Sequence, residues 1–258
     1  MEIYHGCENI FIITEDKSFL TKKQEVISLC AKYQTDGLII FLKDPYEMVL
    51  FNADGSLATM CGNGLRAYVK YGVDHHLIVD NKLKVKTLAG LIHVEIINKE
   101  PFLAKVNLGK ASYLAKKLNI KTAKEEYFGE EEIIDGITYQ QYAIWTGTDH
   151  LVIIVNNFKD IENLAQIFSK KTIFQVGINV NFMKINSPAN IEVRTYERGV
   201  GWTRACGTGS AACVSVGRRL GRLLDKVEVS LLGGSLLIEL LDNSIYMSGP
   251  AVRVKQIS

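Results

Sequence analysis

The chain has 258 residues, 47% of them apolar, which is enough to bury the core of one large α/β domain or of two domains of ordinary size. Its 30 Lys and Arg residues nearly balance its 28 Asp and Glu residues, for a formal net charge of +2, and no long run carries a single sign. Without a strongly basic surface, and without a run of the roughly 20 apolar residues that a spanning helix needs, neither nucleic acid nor a membrane is a predicted partner.

Along the first half, strand, helix and hairpin patterns follow one another. The stretch "EMVLFNADG" alternates apolar and polar residues and predicts a strand that ends in a turn. "MCGNGLRA" at 60–67 then opens an apolar pattern of helical spacing, with Asn63 as a suitable N-cap and Gly72 as the expected C-cap. The next stretch, "KLKVKTLAGLIHVEII", predicts a hairpin that turns near Ala89 and Gly90.

The second half repeats this order. "IEVRTYERG" predicts a strand and a turn, and "ACGTGSAA" at 205–212 opens a nearly uncharged helix, with Thr208 as a suitable N-cap and Gly221 as the stop. "KVEVSLLGGSLLIEL" then predicts a hairpin whose turn is at Gly233 and Gly234. The same elements in the same order indicate two similar domains.

We therefore predict an α/β fold of the α+β type with two pseudo-symmetric domains, in each of which a strongly bent, mostly antiparallel sheet wraps around one central helix. The domain boundary is placed near residue 112, where strand alternation is lost, so that the N-terminal half is 1–112 and the C-terminal half is 113–258. The last strand could return to the first domain.

Cys61 and Cys206 occupy the same place in the two copies, at the start of the predicted helix. A helix N-terminus favours the thiolate form of a cysteine, and its N–H groups bind a carboxylate. If the two halves face one another, one thiolate can remove a proton from a carbon beside a carboxylate while the other thiol returns a proton from the opposite side. The pattern therefore predicts inversion at such a carbon, with the helix ends stabilising the charge that develops on the carboxylate.

Other interpretations of the cysteines are weaker. A single cysteine before glycine is commonly a small buried apolar residue, but two copies with matching flanks favour catalysis. Neither motif continues as a phosphate-binding loop. The N-terminal stretch has no signal-peptide pattern, so we expect a cytoplasmic protein whose five cysteines remain thiols. Without a Cys-x-x-Cys pair or an HExxH sequence, no metal site is predicted.

Four stretches give the chain a resemblance to the diaminopimelate epimerase family, namely "HGCENIF", "FNADGSLATMCGNGLRA", "YERGVGWTRACGTGSAA" and "GPAVRV". The resemblance implies an isomerase that needs no cofactor, and in particular no pyridoxal phosphate. Such an enzyme inverts one α-carbon of L,L-diaminopimelate to give meso-diaminopimelate for lysine and peptidoglycan synthesis. A homodimer is also implied, although Lys255 stands where the family commonly has an aromatic residue at the dimer contact.

The resemblance further implies roles for individual residues. Cys61 and Cys206 match the two catalytic cysteines, which in the family are described as proton donor and proton acceptor. His150 and Glu197 match residues that tune the cysteines, and Arg198 matches the arginine for the distal carboxylate of the substrate. The positions that match substrate-binding residues are Asn9, Asn52, Gly62, Asn63, Thr148, Asn179, Glu197, Arg198, Gly207 and Thr208.

Several positions depart from the family pattern. In "GTDH", Thr148 replaces an asparagine and Asp149 replaces a proline, while Trp202 replaces an acidic residue and Glu8 replaces a glycine. One hydrogen bond to a charged group is worth roughly 1.5–3 kcal/mol, so such changes can alter substrate choice. Three alternatives stay open: a racemase of another amino acid such as lysine or histidine, an isomerase or dehydratase on a related scaffold, and a non-catalytic amino-acid-binding protein.

Overall fold

The computed structural model describes residues 1–257 and divides into two compact units. Unit 1 comprises Met1–Asn107 together with the C-terminal segment from Met247, and unit 2 comprises Leu108–Tyr246. None of the helices within residues 1–257 is long and apolar enough to cross a membrane.

The strands and helices are numbered in chain order. The first group is β1 (Glu2–Gly6), β2 (Asn9–Thr14), a 3₁₀ helix (Lys17–Thr21), α1 (Lys23–Tyr33), β3 (Gly37–Leu42), β4 (Glu47–Asn52), β5 (Leu57–Ala58), α2 (Gly62–Asp74), β6 (Lys82–Thr87), β7 (Gly90–Lys99) and β8 (Phe102–Gly109). The second group is β9 (Phe128–Ile134), β10 (Ile137–Trp145), β11 (Asp149–Ile154), α3 (Ile161–Ser169), β12 (Asn179–Ser187), β13 (Asn190–Glu197), β14 (Gly201–Thr203), α4 (Gly207–Arg219), β15 (Lys226–Leu231) and β16 (Gly234–Leu241). The last two strands are β17 (Ser244–Pro250) and β18 (Val252–Gln256).

In unit 1 the strands are hydrogen-bonded in the order β18, β1, β2, β3, β4, β6, β7, β8. Neighbouring strands are antiparallel except for β2 with β3 and β4 with β6. Because parallel neighbours need a crossover connection, α1 lies between β2 and β3 in the chain. Helix α2 packs against β1 to β4 and β18, so it is the central helix of this unit.

Unit 2 has a closely similar arrangement of seven strands. Its order is β9, β10, β11, β12, β13, β15, β16, with parallel pairs at β11 with β12 and at β13 with β15. Helix α3 provides the crossover from β11 to β12, and α4 packs against β10 to β13 and β16. The two units confirm the predicted α/β class, with two similar halves built from a mostly antiparallel sheet and one central helix.

The central helices are enclosed on all sides. Every residue from Gly209 to Gly217 of α4 is buried, which explains why this stretch carries no charge. Every residue from Gly62 to Val69 of α2 is buried as well, and one of them is the charged Arg66.

Both helices begin earlier than the sequence pattern predicted. Cys61 and Cys206 are themselves the N-caps, so Asn63 and Thr208 lie inside the first turn. A thiol can accept the capping hydrogen bond that a Ser or Asp oxygen usually accepts, and the sequence rules for caps do not include it.

The predicted helix ends and turns differ in detail. Gly72 does not end α2, which continues to Asp74. A Cβ atom on Gly72 would lie 2.5 Å from Ile78, so this glycine allows close packing inside the helix. Gly221 does follow the end of α4, with a φ of +71°. The two hairpins turn one residue earlier than predicted, at 88–89 and 232–233, since β7 begins at Gly90 and β16 at Gly234.

Candidate active site

The first half of the candidate site is the N-terminus of α2 in unit 1. We call it the first corner, meaning the capping residue Cys61 and the first turn of the helix. Cys61 caps the helix in an extended conformation, with φ −138° and ψ 119°. Its Sγ accepts a hydrogen bond from the Gly64 amide at 3.4 Å, and its thiol donates to Asn9 Oδ1 at 3.4 Å. The helix amides and the helix dipole both stabilise negative charge on this sulfur.

Asn9 is held in one orientation by a carboxylate. Its Nδ2 donates to Asp36 Oδ2 at 2.8 Å, and the Ile10 amide donates to the same oxygen at 2.6 Å. Since Nδ2 faces Asp36, Oδ1 must face the other way, towards the Cys61 thiol and towards Asn63 Nδ2 at 3.5 Å. Three predicted site residues of unit 1, Asn9, Cys61 and Asn63, are therefore joined by hydrogen bonds.

Behind this corner lies Arg66, a fully buried guanidinium that the sequence analysis did not identify. It donates to Asn63 Oδ1 at 3.0 Å, to the Gly62 carbonyl at 3.4 Å and to the Pro250 carbonyl at 3.2 Å, and it contacts the sulfur atoms of Cys7 and Met247. None of these partners is a carboxylate. Burial lowers the pKa of Arg66, and the nearby Cys7 and Cys61 sulfur atoms oppose this effect.

Two further features of unit 1 lie at or beside turns. Cys7 and Glu8 form the two-residue turn between β1 and β2, and both have left-handed backbone with φ of 53° and 61°. Turns of this kind favour Asn and Gly, so a Cys–Glu pair stores some backbone strain next to Asn9. Asn52 is exposed at the end of β4, where its Nδ2 donates to Ser56 Oγ at 2.9 Å within its own hairpin.

The second half of the candidate site is the N-terminus of α4 in unit 2. We call it the second corner, meaning the capping residue Cys206 and the first turn of the helix. Cys206 caps this helix with φ −125° and ψ 109°, and its Sγ accepts from the Gly209 amide at 3.4 Å. Thr208 Oγ1 lies 3.6 Å from the same sulfur. The Thr208 carbonyl accepts a hydrogen bond from Thr146 Oγ1 at 2.8 Å, which fixes the loop between β10 and β11 to the start of the helix.

Neutral polar groups lie behind the second corner. A Cβ atom on Gly209 would stand 2.3 Å from Asn181 Oδ1, so the helix approaches this amide as closely as a glycine allows. Asn181 Oδ1 accepts from Thr195 Oγ1 at 3.0 Å, and its Nδ2 lies 3.0 Å from His150 Nδ1 and 3.1 Å from the Leu151 carbonyl.

His150 is the buried base of this group. Burial lowers its pKa to about 3, so the ring is neutral near pH 7. Asn181 Nδ2 also donates to a carbonyl, which makes His150 Nδ1 the acceptor and places the ring proton on Nε2. That Nε2 atom is buried and has no hydrogen-bond partner among residues 1–257.

The remaining predicted residues of unit 2 are linked through Asn179. Its Oδ1 accepts from the Arg198 amide at 2.9 Å, and its Nδ2 donates to the Asp149 carbonyl at 2.9 Å and approaches Thr148 Oγ1 at 3.4 Å. Glu197 accepts a hydrogen bond from Thr203 Oγ1 at 2.7 Å. The structure thus joins Thr148, Asn179 and Arg198, all of which were expected to bind substrate.

Three functional candidates were missed by the sequence analysis: Arg66, Asn181 and Asp36. A signal existed for two of them. Arg66 interrupts an otherwise apolar helix pattern, and Asn181 follows Asn179 on the same face of β12, as expected for residues i and i+2 of a strand. Asp36 lies far from Asn9 in the chain, so only the fold could reveal their contact.

No metal site accompanies these groups in the described part of the chain. Within residues 1–257, no group of three or more His, Cys, Asp or Glu residues is arranged to hold an ion.

Solved structures with the same fold belong to several protein groups. A Bacillus anthracis phenazine biosynthesis protein of the PhzF family superposes with a TM-score of 0.71 at 15% identity, covering 100% of this chain and 98% of that one. A hydroxyproline epimerase from Agrobacterium vitis gives a TM-score of 0.66 at 11% identity, covering 98% of this chain and 88% of that one. At such identities the likeness concerns the fold alone.

Sequence comparison is more specific. The profile of the family described as "Diaminopimelate epimerase" matches residues 1–114 and 142–254. A diaminopimelate epimerase of Caldanaerobacter subterraneus subsp. tengcongensis is 36% identical over 97% of this chain and 95% of the relative. One from Archaeoglobus fulgidus is 41% identical over 79% of this chain and 72% of the relative. This chain therefore belongs to the diaminopimelate epimerase family.

Proposed function

We propose that this protein inverts one α-carbon of L,L-diaminopimelate to give meso-diaminopimelate, with Cys61 and Cys206 as the two proton-transfer groups. The observation that supports this proposal is the duplicated corner. In each unit a thiol caps the central helix and accepts a hydrogen bond from the amide three residues later. A duplicated acid–base group is what inversion requires, because a single fixed base would return the proton to the side it came from.

The proton balance is simple. One cysteine acts as a thiolate, takes the α-proton and becomes a thiol, while the electron pair of the broken C–H bond is delocalised into the carboxylate. The other cysteine, a thiol, donates its proton to the opposite side of the carbon and becomes a thiolate. In the reverse direction the two roles are exchanged, and no electrons are transferred to or from a cofactor.

The helix ends supply the electrostatic part of the reaction. The first amides of an α-helix have no acceptor within the helix, so those of Gly62 and Asn63, and of Gly207 and Thr208, are suited to bind a carboxylate. Such preorganised donors stabilise the extra negative charge that forms on the carboxylate when the α-proton leaves.

Exchange of the α-hydrogen with solvent tests the proposal. We expect the reduced protein, incubated with L,L-diaminopimelate in deuterated buffer and no added cofactor, to incorporate deuterium at one α-carbon and to form the meso isomer. Mass spectrometry and chiral chromatography measure the two events separately. A folded, reduced protein that binds the substrate and incorporates no deuterium would contradict the proposal and favour a binding protein.

A second candidate, a racemase of lysine or histidine, is favoured by Trp202. The ring replaces an acidic residue, is 37% exposed, and packs edge-on against Tyr196 with centroids 5.5 Å apart. A panel of L-amino acids scored by chiral chromatography separates this candidate from the first: faster inversion of lysine or histidine than of diaminopimelate would establish it.

A further inference from the structure

Asp149, the first residue of β11, is a buried carboxylate without hydrogen-bond donors. The residue is only 8% exposed, and its backbone is fixed because its carbonyl accepts a hydrogen bond from Asn179 Nδ2 at 2.9 Å. The nearest charge is Arg198, whose Nη1 lies 3.9 Å from Asp149 Oδ2, which is too far for a hydrogen bond. Within residues 1–257, no donor makes a hydrogen bond to either carboxylate oxygen of Asp149.

Arg198 does not move closer because its own position is fixed by other contacts. Nη1 donates to the Val176 carbonyl at 2.9 Å and to the Gly177 carbonyl at 3.2 Å. The aliphatic part of the side chain lies on Gly177, where a Cβ atom would stand 3.0 Å from Arg198 Cδ. The side chain is 40% exposed, and Nε and Nη2 have no acceptor within the described chain, so they remain available for a ligand.

A buried carboxylate in this state is costly. Removal from water raises the pKa of Asp149, and the charge of Arg198 only partly opposes this. The side chain is still 12% exposed, so its two oxygens reach solvent and have no donor from the described part of the protein. Here the missing donors can come from a bound molecule, because the neighbouring Arg198 is open to solvent.

We propose that Asp149 is a specificity-determining residue that binds the ammonium group at the far end of the substrate, beside the carboxylate that Arg198 binds. The inference rests on the proposed function, and on the role in binding the distal carboxylate that the family resemblance implies for Arg198. A negative and a positive side chain 3.9 Å apart fit a zwitterionic end group, in which an ammonium and a carboxylate are attached to the same carbon.

Three related amino acids separate the two charges. Diaminopimelate has both distal groups, lysine lacks the distal carboxylate, and 2-aminopimelate lacks the distal ammonium. The variant Asp149→Asn keeps the shape of the side chain and removes its charge. Its contact with an ammonium becomes weaker, whereas the contact of Arg198 with a carboxylate is unaffected or strengthened.

Calorimetric dissociation constants and deuterium exchange rates, both measured with each compound, test the inference. We expect Asp149→Asn to weaken the binding of diaminopimelate and of lysine about tenfold or more, since a charge-assisted hydrogen bond is worth about 1.5–3 kcal/mol. Binding of 2-aminopimelate should stay equal or become tighter. The matched control is Glu162→Gln on α3, which removes an exposed carboxylate and should change none of the three.

An equal loss for all three compounds, or no loss for diaminopimelate, would overturn the inference, because Asp149 would then only modulate Arg198 or the fold. If Asp149→Asn fails to fold, Asp149→Ser gives the same comparison with a smaller side chain. Failure of the proposed function looks different: wild-type protein would bind diaminopimelate with the expected dependence on Asp149 and would show no deuterium uptake.

Discussion

In unit 1 the second turn of α2 carries a fully buried guanidinium, whereas in unit 2 the N-terminus of α4 packs against a neutral amide that in turn contacts a neutral imidazole. The residue five positions after the cysteine is Arg66 in one copy and Ala211 in the other. The capping geometry of the two cysteines is nevertheless the same, with one amide donating to each sulfur at 3.4 Å.

This contrast distinguishes the backbone that presents each sulfur from the polar groups that lie behind it. The backbone that presents each sulfur is kept in both copies, and the polar groups behind it differ. A buried arginine keeps its charge at every accessible pH, while a buried histidine with a pKa of about 3 acts as a neutral group that acid can charge. The two copies therefore present their sulfur atoms in the same way but in unequal electrostatic surroundings.

The largest expected effect is on the rate of inversion when either Cys61 or Cys206 is replaced. We expect Cys61→Ser and Cys206→Ser each to slow inversion by about 10²- to 10⁴-fold, because an alcohol is a poor acid and base near neutral pH and both sides of the carbon must be served. Chiral chromatography of the product measures the rate. Cys30→Ser on α1, outside both corners, is the control. Near-normal inversion by either corner variant would show that one cysteine suffices.

The next effect is the loss of protein stability at low pH that the buried His150 causes. His150 in the folded protein takes up a proton only near pH 3, whereas in the unfolded chain it does so near its usual value of 6.5. The unfolded state therefore binds more protons in this window, and the free energy of unfolding falls by roughly 1.4 kcal/mol per unit as the pH drops below 6.5. Denaturant titrations between pH 6.5 and 5, above the range of the carboxylates, measure this slope.

His150→Gln should make that slope shallower by about 1.4 kcal/mol per pH unit, since an amide does not titrate. Burial also lowers the pKa of His5, which adds to the slope in the same direction and is present in both proteins. The matched control is His93→Gln, which replaces an exposed imidazole and leaves His150 in place. A slope in His150→Gln equal to that of the wild type would show that the second corner is not buried as described.

The smallest effect compares equivalent glycines of the two helices. On Gly209 a Cβ atom would stand 2.3 Å from Asn181 Oδ1, whereas on Gly64 its nearest neighbours would be at ordinary contact distances of 3.4 Å. We expect Gly209→Ala to lower the free energy of unfolding by about 1–3 kcal/mol through overpacking. Gly64→Ala should be neutral or stabilising by up to about 1 kcal/mol, since alanine favours a helix. Thermal unfolding measures both, and equal losses would contradict the described difference in packing.

Much of the architecture follows from short-range patterns. Strands β4 and β13 alternate strictly enough to be read directly, and the apolar runs after Cys61 and Cys206 have helical spacing. The crossover helices α1 and α3 were not predicted. Helix α1 buries only Val26 and Cys30, so its apolar face is too narrow to stand out in a single sequence.

The site was predictable where chemistry is local and not where it depends on distant contacts. Asn179 and Arg198 were predicted from the family resemblance of their motifs, and the fold joins them by a hydrogen bond from the Arg198 amide to the Asn179 side chain. Arg66 matters through its contacts with Cys7 and Pro250, which lie at opposite ends of the chain, and the donor-free environment of Asp149 appears only in three dimensions. Capping by sulfur was missed because cap preferences describe oxygen acceptors.

The pairing of β18 with β1 has a consequence for biosynthesis. Unit 2 is one uninterrupted stretch of chain, while unit 1 needs residues from both ends of it. As the polypeptide leaves the ribosome, the part made first must wait for the part made last, and in the meantime the edge of β1 that β18 will cover stays exposed to other extended segments. Unit 2 has no such requirement, because all of its residues come from one continuous segment.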